Sequence, residues 1–318
     1  MTDPFEVRGR ILRGVGGLYT VLTDGGERIF CRARGVFRLD RERQTPLSGD
    51  RVRVLLPKND DDDARIEELL PRTSVLIRPA MANLSHLFLI SAAREPDPSL
   101  RFLDKLLSIL EYERIEPVLV VTKADLDPDR AEKLRIKYEK SGFSVIVTDS
   151  VSRSGDEAVL AYMREHFTAD SVAAFSGVSG AGKSTLLNRL FPSLLLETGE
   201  LSEKISRGKH TTRTVELYPL SEFSTGSGKA PLCGFLADTP GFSMLDFERF
   251  DFFSCEELPG TFREFAPYLG KCRYTKCTHR VEDGCAVLRA VGEKIIPKSR
   301  HTSYCELFAA LKDKHEWD

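Results

Sequence analysis

Nothing constrains the fold of this 318-residue chain more than the run Gly177-Val178-Ser179-Gly180-Ala181-Gly182-Lys183-Ser184, which has the G-x-x-x-x-G-K-S spacing of a Walker A loop. Such a loop works in one setting. It must leave a buried strand and open a helix, because the amides that cradle phosphates are the unpaired ones of a helix N-terminus. The sequence supplies both flanks: 172–176 is an apolar, strand-sized run, and Lys183 opens a helical stretch. Further along, 84–91, 117–122, 143–148 and 232–238 read as strands, and 101–114, 129–141 and 155–167 as helices. This alternation predicts a mostly parallel sheet with helices on its faces. On that frame the glycine loop cradles phosphates, Lys183 reaches the β- and γ-phosphates, Ser184 offers its hydroxyl to magnesium and Thr185 follows in the first turn. A glycine-rich turn without a ligand is the plainer reading, and the flanking elements count against it.

Two further segments fit the same site. Asp238-Thr239-Pro240-Gly241 ends an apolar strand, which puts the Asp238 carboxylate near the metal and the Gly241 amide near the γ-phosphate. Between them, Gly208-Lys209-His210-Thr211-Thr212-Arg213 offers two hydroxyls, and either Thr211 or Thr212 suits a switch that ligates magnesium only with the triphosphate bound. Phe242 stands where Ras-like enzymes place the glutamine that orients the attacking water. An apolar ring cannot do that, so slow intrinsic turnover is expected. His210 could contribute, but beside two threonines it is as readily a phosphate or RNA contact.

Val118 to Val121 lead into Thr122-Lys123-Ala124-Asp125, a variant of the Asn-Lys-x-Asp guanine box at a strand end. An ionised Asp125 accepts two hydrogen bonds, which matches the paired donors of guanine and not the edge of adenine. Thr122 replaces the usual asparagine, so a modest loss of affinity with specificity kept is expected. The strand that follows ends at Thr148-Asp149-Ser150, where a base-contacting loop belongs, with Ser150 in it. Thr122 to Asp125 therefore precede the phosphate loop, the reverse of the ordinary order. A circular permutation joining old termini that lie close at the surface preserves the site while rotating the chain.

The ends have their own character. Residues 5–58 hold twelve Lys/Arg against six Asp/Glu, and 5–56 read as short strands broken by glycine turns, suiting a small OB-fold barrel that contacts nucleic acid or serves only as structure. The acidic tip at 59–63 reads as a solvated hairpin end. Near the other end Cys272, Cys277, His279 and Cys285 form a Cys-x4-Cys-x-His-x5-Cys cluster, whose four soft ligands suggest tetrahedral zinc with no open position for water. Basic residues, Lys271, Arg273, Lys276 and Arg280, are interleaved with it. The odd count of seven cysteines speaks against a disulfide framework, and Cys31, Cys233, Cys255 and Cys305 read as reduced thiols. With 41% hydrophobic and 30% charged residues and no apolar run longer than a strand, neither a membrane span nor a secretory signal is expected. The expected setting is the cytoplasm, with no membrane partner and a monomeric chain.

The basic barrel, the rotated motif order, the Gly-Lys-His-Thr-Thr segment and the Cys-His cluster together resemble the bacterial ribosome-small-subunit-dependent GTPase A family (RsgA, also called YjeQ or YloQ) across nearly the whole chain. The resemblance implies an N-terminal OB-fold β-barrel over 1–72, a central circularly permuted α/β P-loop GTPase domain over 73–245 and a mostly helical zinc-binding domain over 246–318. It also implies GTP/GDP, Mg2+ and one structural Zn2+, the small (30S) ribosomal subunit and its rRNA as partners, and GTP hydrolysis during late subunit maturation stimulated by that subunit. Some family members carry a histidine shortly after the Asp-x-x-Gly motif that is thought to help hydrolysis, and 242–278 here contain none. Two alternatives are a GTP-gated RNA-binding module whose hydrolysis is incidental, and a permuted GTPase acting on another RNA.

Overall fold

The computed structural model describes residues 6–33, 45–57, 63–77, 79–192, 215–223, 230–238 and 253–312. The chain divides into two compact units: Met1–His86 with Leu160–Ala174 and Asn188–Phe242, and Leu87–Val159 with Phe175–Leu187 and Ser243–Asp318.

The first unit carries a closed barrel of β1 (Glu6–Val15), β2 (Leu18–Thr23), β3 (Arg28–Ala33), β4 (Arg51–Leu55) and β5 (Ala64–Leu69), ordered β1-β2-β3-β5-β4. β3 and β5 pair in parallel and the other neighbours antiparallel, as in the OB-fold the sequence predicts. Alternation does the building: in β4 Val52 and Val54 point inward and Arg51 and Arg53 outward, and the inner residues meet Ile11, Val21, Cys31 and Ile66. Burial pushes the Cys31 thiol up to about 12, so it stays a neutral core side chain. β6 (Val75–Ile77) and β7 (Ala80–Ala82) form a short hairpin that the sequence reading does not anticipate. Gly49 must be glycine beside it, because its φ is +96° and a Cβ there would lie 2.0 Å from the Ala82 carbonyl oxygen.

Polar bonds tie the barrel to other parts of its unit. The buried Arg10 guanidinium donates to the Gly49 carbonyl (2.9 Å) and the Asp170 carboxylate (3.0 Å), with the Phe235 ring 5.1 Å away. Ser48 Oγ donates to the Val215 carbonyl (2.7 Å), and Arg28 pairs with Glu222 (2.7 Å).

The P-loop sheet has six strands in the order β10-β9-β8-β11-β13-β12, from β8 (His86–Ala92), β9 (Glu116–Thr122), β10 (Ser144–Val147), β11 (Val172–Gly177), β12 (Glu216–Pro219) and β13 (Phe235–Asp238). β10 pairs parallel with β9 and β11 parallel with β13, while β12 is antiparallel to β13. β8, β9 and β11 are buried almost end to end, as expected of apolar runs covered on both faces. The helices are α1 (Leu100–Tyr112), α2 (Pro128–Lys140), α3 (Asp156–His166) and α4 (Lys183–Leu190). α2 begins one residue before the 129 expected from the sequence. Asp127 caps it by accepting from the Arg130 amide (3.0 Å), Pro128 needs no donor in the first turn, and Lys137 and Lys140 face the negative end of its dipole. Among the described residues no helix is long and apolar enough to cross a membrane.

The second unit ends in two 3-10 turns (Leu258–Thr261 and Arg263–Tyr268), then α5 (Ala286–Gly292) and α6 (Lys298–Lys312). A buried ionic network fastens this segment to α1 and α2. Asp104 of α1, fully buried, accepts from Arg300 Nη1 (2.9 Å), Tyr138 Oη (2.9 Å) and Ser303 Oγ (2.6 Å). Arg300, equally buried, also donates to Glu264 (2.7 Å) and lies over the Phe262 ring. Burial by itself would lower the Arg300 pKa, but the Glu264 and Asp104 carboxylates raise it, so the guanidinium stays charged.

Candidate nucleotide and metal sites

The phosphate loop lies between β11 and α4, as the Walker A spacing demands. Gly180 and Gly182 have φ of +80° and +92°, the left-handed region that turns successive amides toward one point. A Cβ on Gly177 would come 2.8 Å from the Ile90 carbonyl oxygen, so the close approach to β8 admits only glycine. Val178, Ser179, Gly180, Ser184 and Thr185 are exposed and Ala181 is buried, which leaves the loop open to a ligand with its underside packed. This arrangement fits a polyphosphate.

The base box reaches that loop directly. Thr122, at the end of β9 and almost fully buried, donates its Oγ1 hydrogen to the Ala181 carbonyl (2.5 Å). The hydroxyl that replaces the usual amide thus makes the bridge to the phosphate loop that its one hydrogen allows. Lys123 has a left-handed backbone (φ 55°), and its Nζ donates to the Glu95 carbonyl. The Ala124 amide donates to the Thr148 carbonyl (3.3 Å), joining the box to the next loop. There Asp149 accepts from the Ser152 hydroxyl (2.6 Å) and the Val151 amide (2.7 Å), which lower its pKa and shape the turn around the exposed Ser150. Asp125 is exposed, and its side chain interacts with that of Asp149. β13, parallel to β11, ends at the half-buried Asp238. Thr211, Thr212, Gly241, His210 and Phe242 lie outside the described residues.

Cys272, Cys277, His279 and Cys285 come together with all four ligand atoms within 4.8 Å of one another. Cys272 Sγ and Cys285 Sγ are 3.8 Å apart, and His279 Nδ1 lies 3.4 and 3.5 Å from them. A tetrahedron with the usual Zn–S and Zn–N bond lengths has edges of about 3.8 Å between sulfurs and about 3.5 Å between sulfur and nitrogen. Cys272, Cys285 and His279 therefore stand at zinc-like spacings, and with Cys277 Sγ within 4.8 Å of them the donor set is compatible with zinc. Backbone amides of Ala286 and Leu288 donate to Cys272 and Cys285 sulfurs (3.3 and 3.4 Å), as thiolate ligands require.

The sequence reading passes over Glu282, an acid inside the cysteine loop. Its carboxylate accepts from the amides of Thr278 (2.7 Å), Arg280 (2.9 Å) and Val281 (3.1 Å) and from the Thr278 hydroxyl. Partial burial pushes its pKa up, but these bonds outweigh it and hold the group at about 2. Tyr304 Oη on the Thr278 carbonyl and His301 Nε2 on the His279 carbonyl fix the loop from α6.

The RsgA GTPase family model matches residues 69–248, and the RsgA N-terminal domain model matches 8–64. A small ribosomal subunit biogenesis GTPase RsgA of Ruminiclostridium cellulolyticum is 41% identical, covering 96% of this chain and 94% of its own. The protein of that name from Enterococcus faecalis is 38% identical, covering 97% and 96%. YjeQ from Thermotoga maritima superposes with a TM-score of 0.77 at 30% identity over 98% of this chain and all of its own. YloQ, described as a circularly permuted GTPase, superposes at 0.75 and 31% identity over the whole of both chains. A chain whose base box precedes its phosphate loop and hydrogen-bonds to it, and which matches these proteins from end to end, belongs to the RsgA GTPase family of GTP hydrolases, in circularly permuted form.

Proposed function

We propose that this GTPase acts in the biogenesis of the small ribosomal subunit in the cytoplasm, binding the subunit through rRNA and hydrolysing GTP faster when docked on it. The names of its relatives support the partner. The observation that carries the chemistry is the Thr122–Ala181 bond, which unites a guanine-type box and a phosphate loop in one site.

In this reading the amides of residues 177–182 and Lys183 hold the β- and γ-phosphates, and Asp125 takes the two guanine donors while Thr122 fixes the box against the loop. Ser150 contacts the base from its loop. Ser184, Asp238 and one of Thr211 or Thr212 are the residues suited to a magnesium ion, which when bound neutralises phosphate charge. The Gly241 amide senses the γ-phosphate. Cys272, Cys277, His279 and Cys285 would hold a structural zinc, which supplies folding energy to the loop 272–285, most of which is not buried. The division into 1–72, 73–245 and 246–318 is supported by the limits of the two family models.

Phe242 leaves the attacking water without an orienting group, so turnover is slow until docking supplies one or reshapes the switches. Purified small subunits should raise GTP turnover by an order of magnitude or more, and the stimulation should shrink as salt rises because each phosphate engaged adds to the salt slope. Equal turnover with and without subunits at low salt would refute the assignment.

A further inference from the structure

α2 and the α5–α6 segment enclose a groove of about 880 Å³ within the second unit, and its lining contains five lysines and no acid. Lys133, Lys137 and Lys140 form one wall along α2, and Lys294 and Lys298 form the other. The acids of α2 do not offset this charge. Of the three, Glu132 and Glu139 pair with Arg135 at 2.6 and 2.7 Å, and Asp129 lies in the first turn, outside the lining. Lys137 is committed to Asp104 (3.4 Å), while Lys133, Lys140, Lys294 and Lys298 are exposed, with no ion pair among the described residues. α6 also begins in this wall, at Lys298 and Ser299, so the positive end of its dipole adds to the lysines.

From this arrangement we propose that the groove binds the sugar–phosphate backbone of RNA, without reading its sequence. The inference rests on the small-subunit reading above and adds a surface to the basic residues around the zinc ligands. Lys133 to Lys140 spans about 10 Å along the helix, long enough for a row of ammonium groups to follow a strand and not a single phosphate. Lysines are point charges suited to phosphate oxygens from any direction. The floor is aliphatic, made of Ile136, Leu288, Val291 and Ile296. It gives ribose and base faces a dry surface, but it offers no aromatic ring for stacking and no guanidinium or amide for a base edge. A backbone contact of this kind sets register and orientation and carries no sequence information.

The test replaces Lys133, Lys140, Lys294 and Lys298 with Gln in the full chain, since all four are exposed and outside the nucleotide site. Binding of a mixed-sequence single-stranded RNA is measured at stepped salt, beside co-sedimentation with small subunits and GTP turnover without them. Affinity for RNA should fall at least tenfold and the salt slope should flatten by roughly 0.7 for each phosphate no longer engaged, with basal turnover unchanged. A slope equal to wild type overturns the groove. If wild type fails to co-sediment with subunits, the small-subunit reading fails, and the RNA slope still decides the groove. In a second measurement, a photoreactive amino acid in place of Ile136 should cross-link to rRNA in the subunit complex. Cross-linking to a ribosomal protein instead, or loss of docking in Ile136→Ser but not in the lysine variant, would show that the groove takes a protein segment and overturn the proposal.

Discussion

Thr122 shows how one atom count decides a site. Asparagine in the guanine box carries two donor hydrogens and an acceptor, and threonine carries one hydrogen, which goes to the Ala181 carbonyl. Thr122→Val keeps the shape and removes that hydrogen, leaving a buried carbonyl unpaired at a cost of about 1–3 kcal/mol. The thermal midpoint should drop by a few degrees and GTP affinity should fall about tenfold as the loop loses its anchor, and unchanged affinity in a titration would remove the bridge from the binding site. Asp125→Asn should act differently, weakening GTP at least tenfold and eroding discrimination against other nucleotides, because an amide presents a donor where guanine also donates. Retention of wild-type guanine selectivity would rule Asp125 out as the base reader. Glu282 acts on the cysteine loop by collecting three amides. Its carboxyl titrates below the ordinary glutamate range, so its contribution is present above about pH 4.3 and is lost as pH falls toward 2. Glu282→Gln should therefore lose zinc to a chelator faster than wild type at neutral pH, with the gap closing in acid. Equal release rates at neutral pH would mean that the amide cage does not hold the loop.

At the scale of elements, the buried network of Asp104, Arg300, Glu264 and Tyr138 decides how the C-terminal segment is held. α1 precedes β9 and α2 follows the base box that β9 delivers, so the segment grips the two helices that bracket the guanine-type motif. Removing one partner from such a network strands the others in the interior. Arg300→Met should destabilise the protein by about 3–5 kcal/mol, whereas Arg300→Met combined with Asp104→Leu and Glu264→Leu should recover only part of that loss, since Lys137, Tyr138 and Ser303 then lose the Asp104 acceptor. Urea midpoints separate the two cases. A single variant as stable as wild type would show that packing of Phe262, Phe265 and Tyr304 holds the segment without the ions.

At the scale of the whole molecule, the proposed stimulation needs a path from a docked subunit to the nucleotide. The covalent route, from Gly241 to the zinc cluster, passes through residues outside the described ones. The described route runs from the cysteine loop through Tyr304 and His301 to α6, and from Arg300 to α1 and α2. Cys277→Ser should release the metal, loosen that loop and abolish stimulation by small subunits while leaving nucleotide affinity largely unchanged, because the base box and phosphate loop are built from other residues. An undiminished response in zinc-free Cys277→Ser protein would refute this route without touching the GTPase assignment.

The local signals were legible in the sequence because each is written in consecutive residues. Glycine spacing announces the phosphate loop, apolar runs announce β8, β9 and β11, and ligand spacing announces the metal cluster. Motif order alone exposed the permutation. The closure of the barrel through the parallel β3–β5 pair, the short strands β6, β7 and β12, the Thr122 bridge across 59 positions and the Asp104–Arg300 pair across 196 were decided only in three dimensions. The physical reason is the same for each. A hydrogen bond or ion pair between distant residues leaves no periodicity behind, and a lone buried Asp or Arg reads as an ordinary surface charge until folding removes the water around it.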